Sequence, residues 1–433
     1  MPKFVVEGGH PLRGTIRPAG NKNAALPVLA ATLLTDEPVV LDNVPKIRDV
    51  LTLLELLDRL GAQSEWIGPN RVRVHAKEVE ASELEPSLAA RIRASILLAG
   101  PMLARVGRML LPLPGGDVIG RRRVDTHFLA LSRLGARVES VGGYRIETDG
   151  LRGTDVFLDE PSVTATENAI MAAALAKGNT RRRNAAAEPH VQDLCNLLVA
   201  MGARISGIGT HILEIEGVDR LHGCEYRIGS DHIEVGSFIG LAAVTRGEIT
   251  IQDAAVEHLD STLLAFERLG IRCEIQGEDL FVPADQDREI RMDLGGHIPK
   301  IDDGPWPAFP ADLTSIALVV ATQCRGTILI HEKMFESRMF FADKIIGMGA
   351  RIVLCDPHRA VVVGPSRLHA GVVESPDIRA GMALLIAALG AEGESHIFNI
   401  GQIERGYERI DERLKALGAR IERFDSRDDA REP

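Results

Sequence analysis

The chain has 433 residues, enough for two or three domains of ordinary size. Apolar residues make up 45% and charged residues 26%, which excludes disorder as the main state, and aromatics at 4% argue against a base-stacking platform. Fifty basic residues against 61 acidic ones give a net charge of −11, the wrong sign for nucleic-acid binding or a polybasic membrane anchor. An anionic ligand must therefore be gripped by a local arginine cluster.

In chain order, the N-terminus lacks the apolar core of a signal peptide, and no stretch reaches the length of a membrane-spanning helix. Arg13–Gly20 is turn-rich and leads into Pro-Ala-Gly-Asn-Lys-Asn-Ala-Ala-Leu-Pro (18–27). Lys22 and Asn23 sit where that loop enters an apolar helix, Ala24–Leu34, so helix-start amides and an ammonium converge on one point. An ordinary cap by Asn21 or Asn23 with a solvated lysine explains the same residues.

Leu51, Leu54, Leu57 and Leu60 then recur at helical spacing and end at Gly61. The cadence returns at Gly135, Gly202, Gly270, Gly349 and Gly418, each inside a Leu-Gly-Ala-Arg-like segment. A glycine just past an amphipathic run is a helix C-cap, where the left-handed backbone costs glycine little. Alternating pairs follow, such as 137–141 and 144–148 around Gly142 and Gly143, which read as hairpins. Six such α/β units are expected, three in each of two lobes. The boundary candidates are Arg13–Gly20 and the segment around Gly229, Ser230 and Asp231, giving one lobe over 21–230 and another over 1–20 with 231–433. The cleft between the lobes is the default ligand site.

Between these units lie segments whose chemistry folding does not require. The loop at 113–123 carries Gly115, Gly116 and Gly120 beside Asp117 and the Arg121–Arg123 run, a pattern suited to a lid closing on an anion. Arg181–Arg183 has no such glycines or acid and reads as a solvated basic turn. Apolar helices are expected at Ala169–Ala176 and Ser315–Ala321. Pro307-Ala-Phe-Pro-Ala-Asp312 presents Asp312 just ahead of the latter, where a helix cap is the plainer explanation. Arg338, Arg379 and Arg405 lie near the C-terminus, and arginines on separate units can converge on phosphate or carboxylate, although surface ion pairs explain any one of them. The histidines make no metal motif, no phosphate-cradling or dinucleotide glycine signature follows a strand, and chemistry without a cofactor or metal is expected. Five scattered cysteines without a Cys-x-x-Cys pair fit a reducing, cytoplasmic setting.

Together these segments resemble the enolpyruvyl transferases, and within them the branch that uses UDP-N-acetylglucosamine. The matching motifs are Gly-Asn-Lys-Asn-Ala-Ala-Leu-Pro (20–27), Arg-Ala-Ser from Arg93, Leu-Pro-Gly-Gly-Asp-Val-Ile-Gly (113–120), Val-Asp-Thr-His (124–127), Phe-Pro-Ala-Asp (309–312) and Arg-Gly-Tyr-Glu-Arg-Ile (405–410). The resemblance implies a two-lobed inside-out α/β barrel of six βαβαββ units. It also implies transfer of enolpyruvyl from phosphoenolpyruvate to the sugar 3′-hydroxyl with loss of phosphate, the first committed step of peptidoglycan precursor synthesis.

Carried over residue by residue, Lys22, Arg122 and Arg405 would neutralise phosphoenolpyruvate, with Arg338 and Arg379 close by. Asp312 would accept the hydroxyl proton, and Asp312→Asn, which keeps shape and capping ability, is expected to change stability by less than about 1 kcal/mol. Asp117, where many members carry cysteine, would serve as the acid on the lid. Asn23, Arg93, Arg122, Arg123, Val124, Asp125 and Thr126 would hold the nucleotide sugar, with Ser162 and Val163 on the uridine side and Met334 against the nucleotide sugar. Arg123, Thr164 and Ala187 replace the family's usual proline, glycine and arginine, and His232 lies where arginine is frequent. The first three leave open a different nucleotide or nucleotide-sugar acceptor. A catalytically silent UDP-sugar-binding paralogue is the reading from another class, against which Lys22, Asp117, Arg122, Asp312 and Arg405 weigh together.

Overall fold

A computed structural model describes residues 2–79, 81–116, 120 and 123–425. These fall into two compact units, one comprising residues 20–79, 81–116 and 123–229, the other 2–19, 120 and 230–425. Each unit is built inside out. Its helices form the centre and three small sheets surround them; of the six sheets among the described residues five have four strands and one has three.

In the unit ending at 229, the central helices are Lys22–Ala31, the turn-and-helix run Arg93–Leu98 with Ala99–Val106, and Val163–Ala174. In the other, His232–Thr245, Thr314–Ala321 and Ile378–Gly390 pack on one another. All fourteen residues of His232–Thr245 are buried. A helix enclosed on every side must be apolar or small all round, which is why these segments carry so many Ala, Gly, Val and Ile residues. Gly236 and Gly240 lie where a Cβ would strike Leu313 and Ile316, so glycine sets how closely the first two helices approach.

The repeat glycines behave as helix caps. Gly61, Gly135, Gly202, Gly270, Gly349 and Gly418 all have positive φ, between 76° and 107°. The expected hairpin also forms: Ala136–Ser140 pairs antiparallel with Tyr144–Thr148, Ser140 opposite Tyr144. The apolar helices expected at Ala24–Leu34, Ala169–Ala176 and Ser315–Ala321 are present as Lys22–Ala31, Val163–Ala174 and Thr314–Ala321.

Two strands are exchanged relative to sequence order. Arg13–Ile16 pairs in parallel with Glu248–Ile251, and Glu225–Arg227 pairs in parallel with Val39–Asp42. Lys3–Glu7 lies between Glu394–Phe398 and Arg420–Phe424, antiparallel to both.

The Arg181–Arg183 run corrects the reading of a solvated turn. It belongs to strand Asn179–Arg183, whose residues alternate between solvent and interior, so Arg182 points inward and is fully buried. Its three guanidinium nitrogens have no hydrogen-bond acceptor among the described residues. Burial, opposed by the Cys195 thiol, lowers its pKa to about 9.

Candidate active site

In the unit ending at 229, Asn21 settles the capping question. Its side chain accepts the amides of Asn23 (2.9 Å) and Ala24 (3.2 Å), which leaves Lys22 as the first helical residue. The Lys22 ammonium is buried and pairs with Asp49 Oδ2 at 3.0 Å. Asp49 stands in the first turn of helix Arg48–Arg59, where a carboxylate suits the positive end of the helix. Lys22 is therefore no solvated lysine, and a salt bridge to the next helix of its own repeat fixes its direction.

A second cluster forms around the start of helix Asp125–Arg133. Arg93 donates to the Arg123 carbonyl at 2.9 Å. The Arg123 guanidinium reaches Asp159 (2.8 Å), Asp125 (3.2 Å) and Glu160 (3.8 Å), and its bonds to the first two raise its pKa. Thr126 is buried and donates to Asp159 at 2.8 Å. Val124 is the N-cap residue of the helix. Ser162 caps helix Val163–Ala174 through Ala165 N, which puts Val163 on its first turn. Asp159 and Glu160 thus tie the 123–126 segment to the start of the next central helix. Arg123, standing where the family usually has proline, is engaged by carboxylates.

Thr164, the other departure here, meets His127. Its hydroxyl lies 3.0 Å from His127 Nε2, while Asn168 Nδ2 lies 2.8 Å from Nδ1. Asn168 Nδ2 also donates to the Ile96 carbonyl. An amide nitrogen can only donate, so Nδ1 is the acceptor and the ring proton sits on Nε2, facing Thr164. Asn23 is partly exposed beside Lys22. Asp117 and Arg122 lie outside the described residues.

In the other unit, Asp312 occupies a single turn, Ala311–Leu313, leading into helix Thr314–Ala321. Its carboxylate goes to two arginines: Arg338 Nη2 at 2.9 Å and Arg379 Nε at 3.1 Å. Both guanidinium groups are almost wholly buried, with side-chain exposures of 5% and 6%, while Asp312 keeps 24%. This corrects the expectation that Asp312 contributes little to stability, because it is the counter-ion of two buried cations. Burial works against the charge on Arg338, but Asp312, Glu332 and Asp377 outweigh it and raise the pKa. The same balance, led by burial and overturned by Asp312, raises Arg379.

Arg379 stands in the first turn of helix Ile378–Gly390, capped by Asp377, and its guanidinium lies 5.5 Å from the Tyr407 ring centroid. Tyr407 in turn hydrogen-bonds Ser237 at 2.9 Å. Arg338 packs over Phe335 at 4.9 Å. Arg338 Nε and Nη1 and Arg379 Nη1 are buried with no acceptor among the described residues. Such donors, on guanidinium groups held in place, are chemically suited to an anion. Arg405 lies in the turn Ile403–Arg405 and donates to Gln402 at 3.0 Å, two residues from Tyr407. Met334 is exposed and its amide donates to Asp303 at 3.3 Å.

His232 begins the central helix His232–Thr245 and forms a triangle of rings with His258 (6.2 Å) and Trp306 (6.1 Å). Burial, then His258 and Arg379, push its pKa down to about 3 against the pull of Asp312, so the imidazole is neutral. Sequence reasoning missed Asp49, Asp159, Glu160 and Tyr407. Their signal was faint, since each is an ordinary residue whose role comes from a partner distant in the sequence. Among the described residues no group of three His, Cys, Asp or Glu side chains could hold a metal, and no helix is long and apolar enough to cross a membrane.

Comparison with known proteins gives the class. The family profile described as EPSP synthase (3-phosphoshikimate 1-carboxyvinyltransferase) matches residues 6–414, and the chain belongs to that family of carboxyvinyl transferases. Among relatives, a UDP-N-acetylglucosamine 1-carboxyvinyltransferase of Bradyrhizobium diazoefficiens is 62% identical, covering 98% of this chain and 99% of the relative. One from Treponema denticola is 58% identical with the same coverage. The fold is shared with the enolpyruvyl transferase NikO of Streptomyces tendae (TM-score 0.87, 24% identity, 98% of this chain and 99% of that one). It is also shared with EPSP synthase of Acinetobacter baumannii (TM-score 0.75, 16% identity, 98% and 100%).

Proposed function

We propose that this chain transfers the enolpyruvyl group of phosphoenolpyruvate to the 3′-hydroxyl of UDP-N-acetylglucosamine. In the first half, the hydroxyl oxygen bonds to C2 of phosphoenolpyruvate, its proton passes to a base, and C3 takes a proton. In the second half, C3 returns a proton, the C2–O bond to phosphate breaks, and enol ether and inorganic phosphate leave. No cofactor is needed, because no electrons change hands.

The observation that carries this reading is the pair Arg338 and Arg379, held by Asp312 with three buried donors to spare. These arginines take the phosphate or carboxylate of phosphoenolpyruvate, and Arg405 and Lys22 add positive charge. As an anion enters, it competes with Asp312 for the guanidinium groups, so the carboxylate is released to accept the hydroxyl proton. Asp117 supplies the C3 proton from the 113–123 loop, and Arg122 closes with it. Asn23, Arg93, Arg123, Val124, Asp125, Thr126, Ser162, Val163 and Met334 hold the nucleotide sugar. The product commits its sugar to peptidoglycan, which places the enzyme in the cytoplasm and in cell-wall growth, shape and division.

Phosphate release tests the reading directly, with purified protein, phosphoenolpyruvate and a panel of acceptors. UDP-N-acetylglucosamine should give the highest kcat/KM. Phosphate release with another nucleotide acceptor and none with this one would reassign the acceptor.

A further inference from the structure

Three segments assigned to the nucleotide sugar meet at one buried polar cluster in the unit ending at 229. They are the turn Arg93–Leu98, the stretch 123–126 that opens helix Asp125–Arg133, and Ser162 with Val163 at the start of helix Val163–Ala174. Asn168 lies at the centre, fully buried, and His127 is 1% exposed. Asn168 Oδ1 accepts the Gly100 amide at 2.7 Å, and Nδ2 donates to the Ile96 carbonyl at 2.8 Å. Two backbone groups of opposite kind thus fix which way the side-chain amide points. A Cβ at Gly100 would lie 2.3 Å from the Asn168 backbone oxygen, so glycine is what lets the two helices come this close.

With that amide fixed, the His127 ring has one arrangement. Nδ1 accepts from Asn168 at 2.8 Å, the proton sits on Nε2, and Thr164 Oγ1 accepts it at 3.0 Å. Thr164 and Asn168 stand one turn apart on the same helix, so the ring is gripped at both nitrogens by one helix face. Held at Nδ1 alone, it could pivot. We propose that Thr164 is a positioning residue: by taking the Nε2 proton of His127 it locks the stretch 123–126 against Ser162 and Val163, so that the nucleotide-sugar wall is set before the substrate arrives. This rests on the assignment of those segments to the nucleotide sugar. The glycine usual in the family at this position has no hydroxyl, so the second grip belongs to this chain's departure.

Other ties cross the same gap, but they end short of the helix. Arg123 and Thr126 both reach Asp159, in the loop ahead of Val163–Ala174. The Arg123–Asp159 pair has both side chains 39% exposed, where an ion pair contributes little. The His127 bond to Thr164 reaches the helix itself, from a ring shielded from water. Ordering a loose binding segment lowers affinity, so a wall fixed beforehand binds more tightly. The effect falls on substrate binding and not on the groups that make and break bonds.

Calorimetric titration of UDP-N-acetylglucosamine into the free protein tests this, with kcat and both KM values measured alongside, in the wild type, Thr164→Val, Thr164→Gly and Thr164→Ser. Valine keeps the branched shape but offers no acceptor. It should raise Kd and KM for UDP-N-acetylglucosamine about threefold or more, with kcat and KM for phosphoenolpyruvate unchanged. Glycine, the family's usual residue, removes the acceptor in a second way and should show the same loss. Serine keeps the hydroxyl and should stay within about twofold of the wild type. The grip also has a spectroscopic signature: the His127 Nε2 proton should be visible by heteronuclear NMR in the wild type and Thr164→Ser, and lost to fast exchange in Thr164→Val. A Thr164→Val protein that binds the nucleotide sugar like the wild type would overturn the proposal. So would an equal loss in Thr164→Ser, or a fall in kcat with Kd unchanged. A wild-type protein that does not bind UDP-N-acetylglucosamine refutes the acceptor reading, and the proposal falls with it.

Discussion

Replacing Asp312 by asparagine separates its two duties, counter-ion and base. The carboxylate makes two charge-assisted hydrogen bonds, to Arg338 and Arg379, each of a kind worth about 1.5–3 kcal/mol net. Asparagine keeps one carbonyl acceptor, so one bond persists in weaker form and one is lost. Removing one partner of a fully buried ion pair costs about 3–5 kcal/mol. Asp312 is 24% exposed, and water reaching it lowers that figure. The expected loss is roughly 2–4 kcal/mol, read from urea unfolding at neutral pH in phosphate-free buffer. Added phosphate should recover more stability in the variant than in the wild type, because it replaces the missing anion between the two guanidinium groups. Turnover should fall at least about 100-fold even with phosphoenolpyruvate saturating. A stability change under about 0.5 kcal/mol, or equal stabilisation of both proteins by phosphate, would refute the counter-ion role.

Four other outcomes follow from the same structure. The epoxide fosfomycin should leave the protein active, while Asp117→Cys becomes sensitive and Asp117→Asn loses most turnover. Burial pushes the thiols of Cys195, Cys273 and Cys324 up to about 12 and raises Cys224, so none of these four is a ready nucleophile, and rapid inactivation of the wild type would refute the placement of Asp117. Arg182→Met should stabilise the protein by about 1–3 kcal/mol, since it removes a buried cation with no acceptor; a lower melting temperature would show that Arg182 has a partner. His232 has a folded pKa of about 3 against an ordinary 6.5, so the unfolded chain binds its proton first and stability declines as pH falls between those values. His232→Gln should flatten that slope, measured by urea midpoints between about pH 4 and about pH 7. Arg379→Lys should raise KM for phosphoenolpyruvate about tenfold or more, because an ammonium cannot bond Asp312 and a ligand through one planar fork; an unchanged KM removes it from the anion site.

The parts of the fold legible in the sequence were those whose signal is local. A glycine after an amphipathic helix needs only its own backbone to act as a cap, and the six repeat glycines could be read one by one. The enclosed helices His232–Thr245 and Ile378–Gly390 were harder, because a helix buried all round has no polar face and hence no period to detect. Arg182 shows the opposite failure. Three arginines in a row look solvated, but strand alternation turns the middle one inward.

Within the candidate site, Lys22, Asp312, Arg338 and Arg379 could be named from motifs. Their counter-ions could not, since Asp49 reaches Lys22 from the next helix and Asp312 meets arginines 26 and 67 residues away.

Strand Lys3–Glu7 also has a bearing on how the chain is made. It is synthesised long before its neighbours, Glu394–Phe398 and Arg420–Phe424. The unit over 20–229 contains all its own strands, including Glu225–Arg227, and can close while synthesis continues. The other unit must wait, because Phe4 and Val6, buried in the finished fold, lack their sheet partners until the segment 394–398 is made. An early apolar strand held open that long is a target for chaperones and for mispairing, and only the final repeat gives it a place.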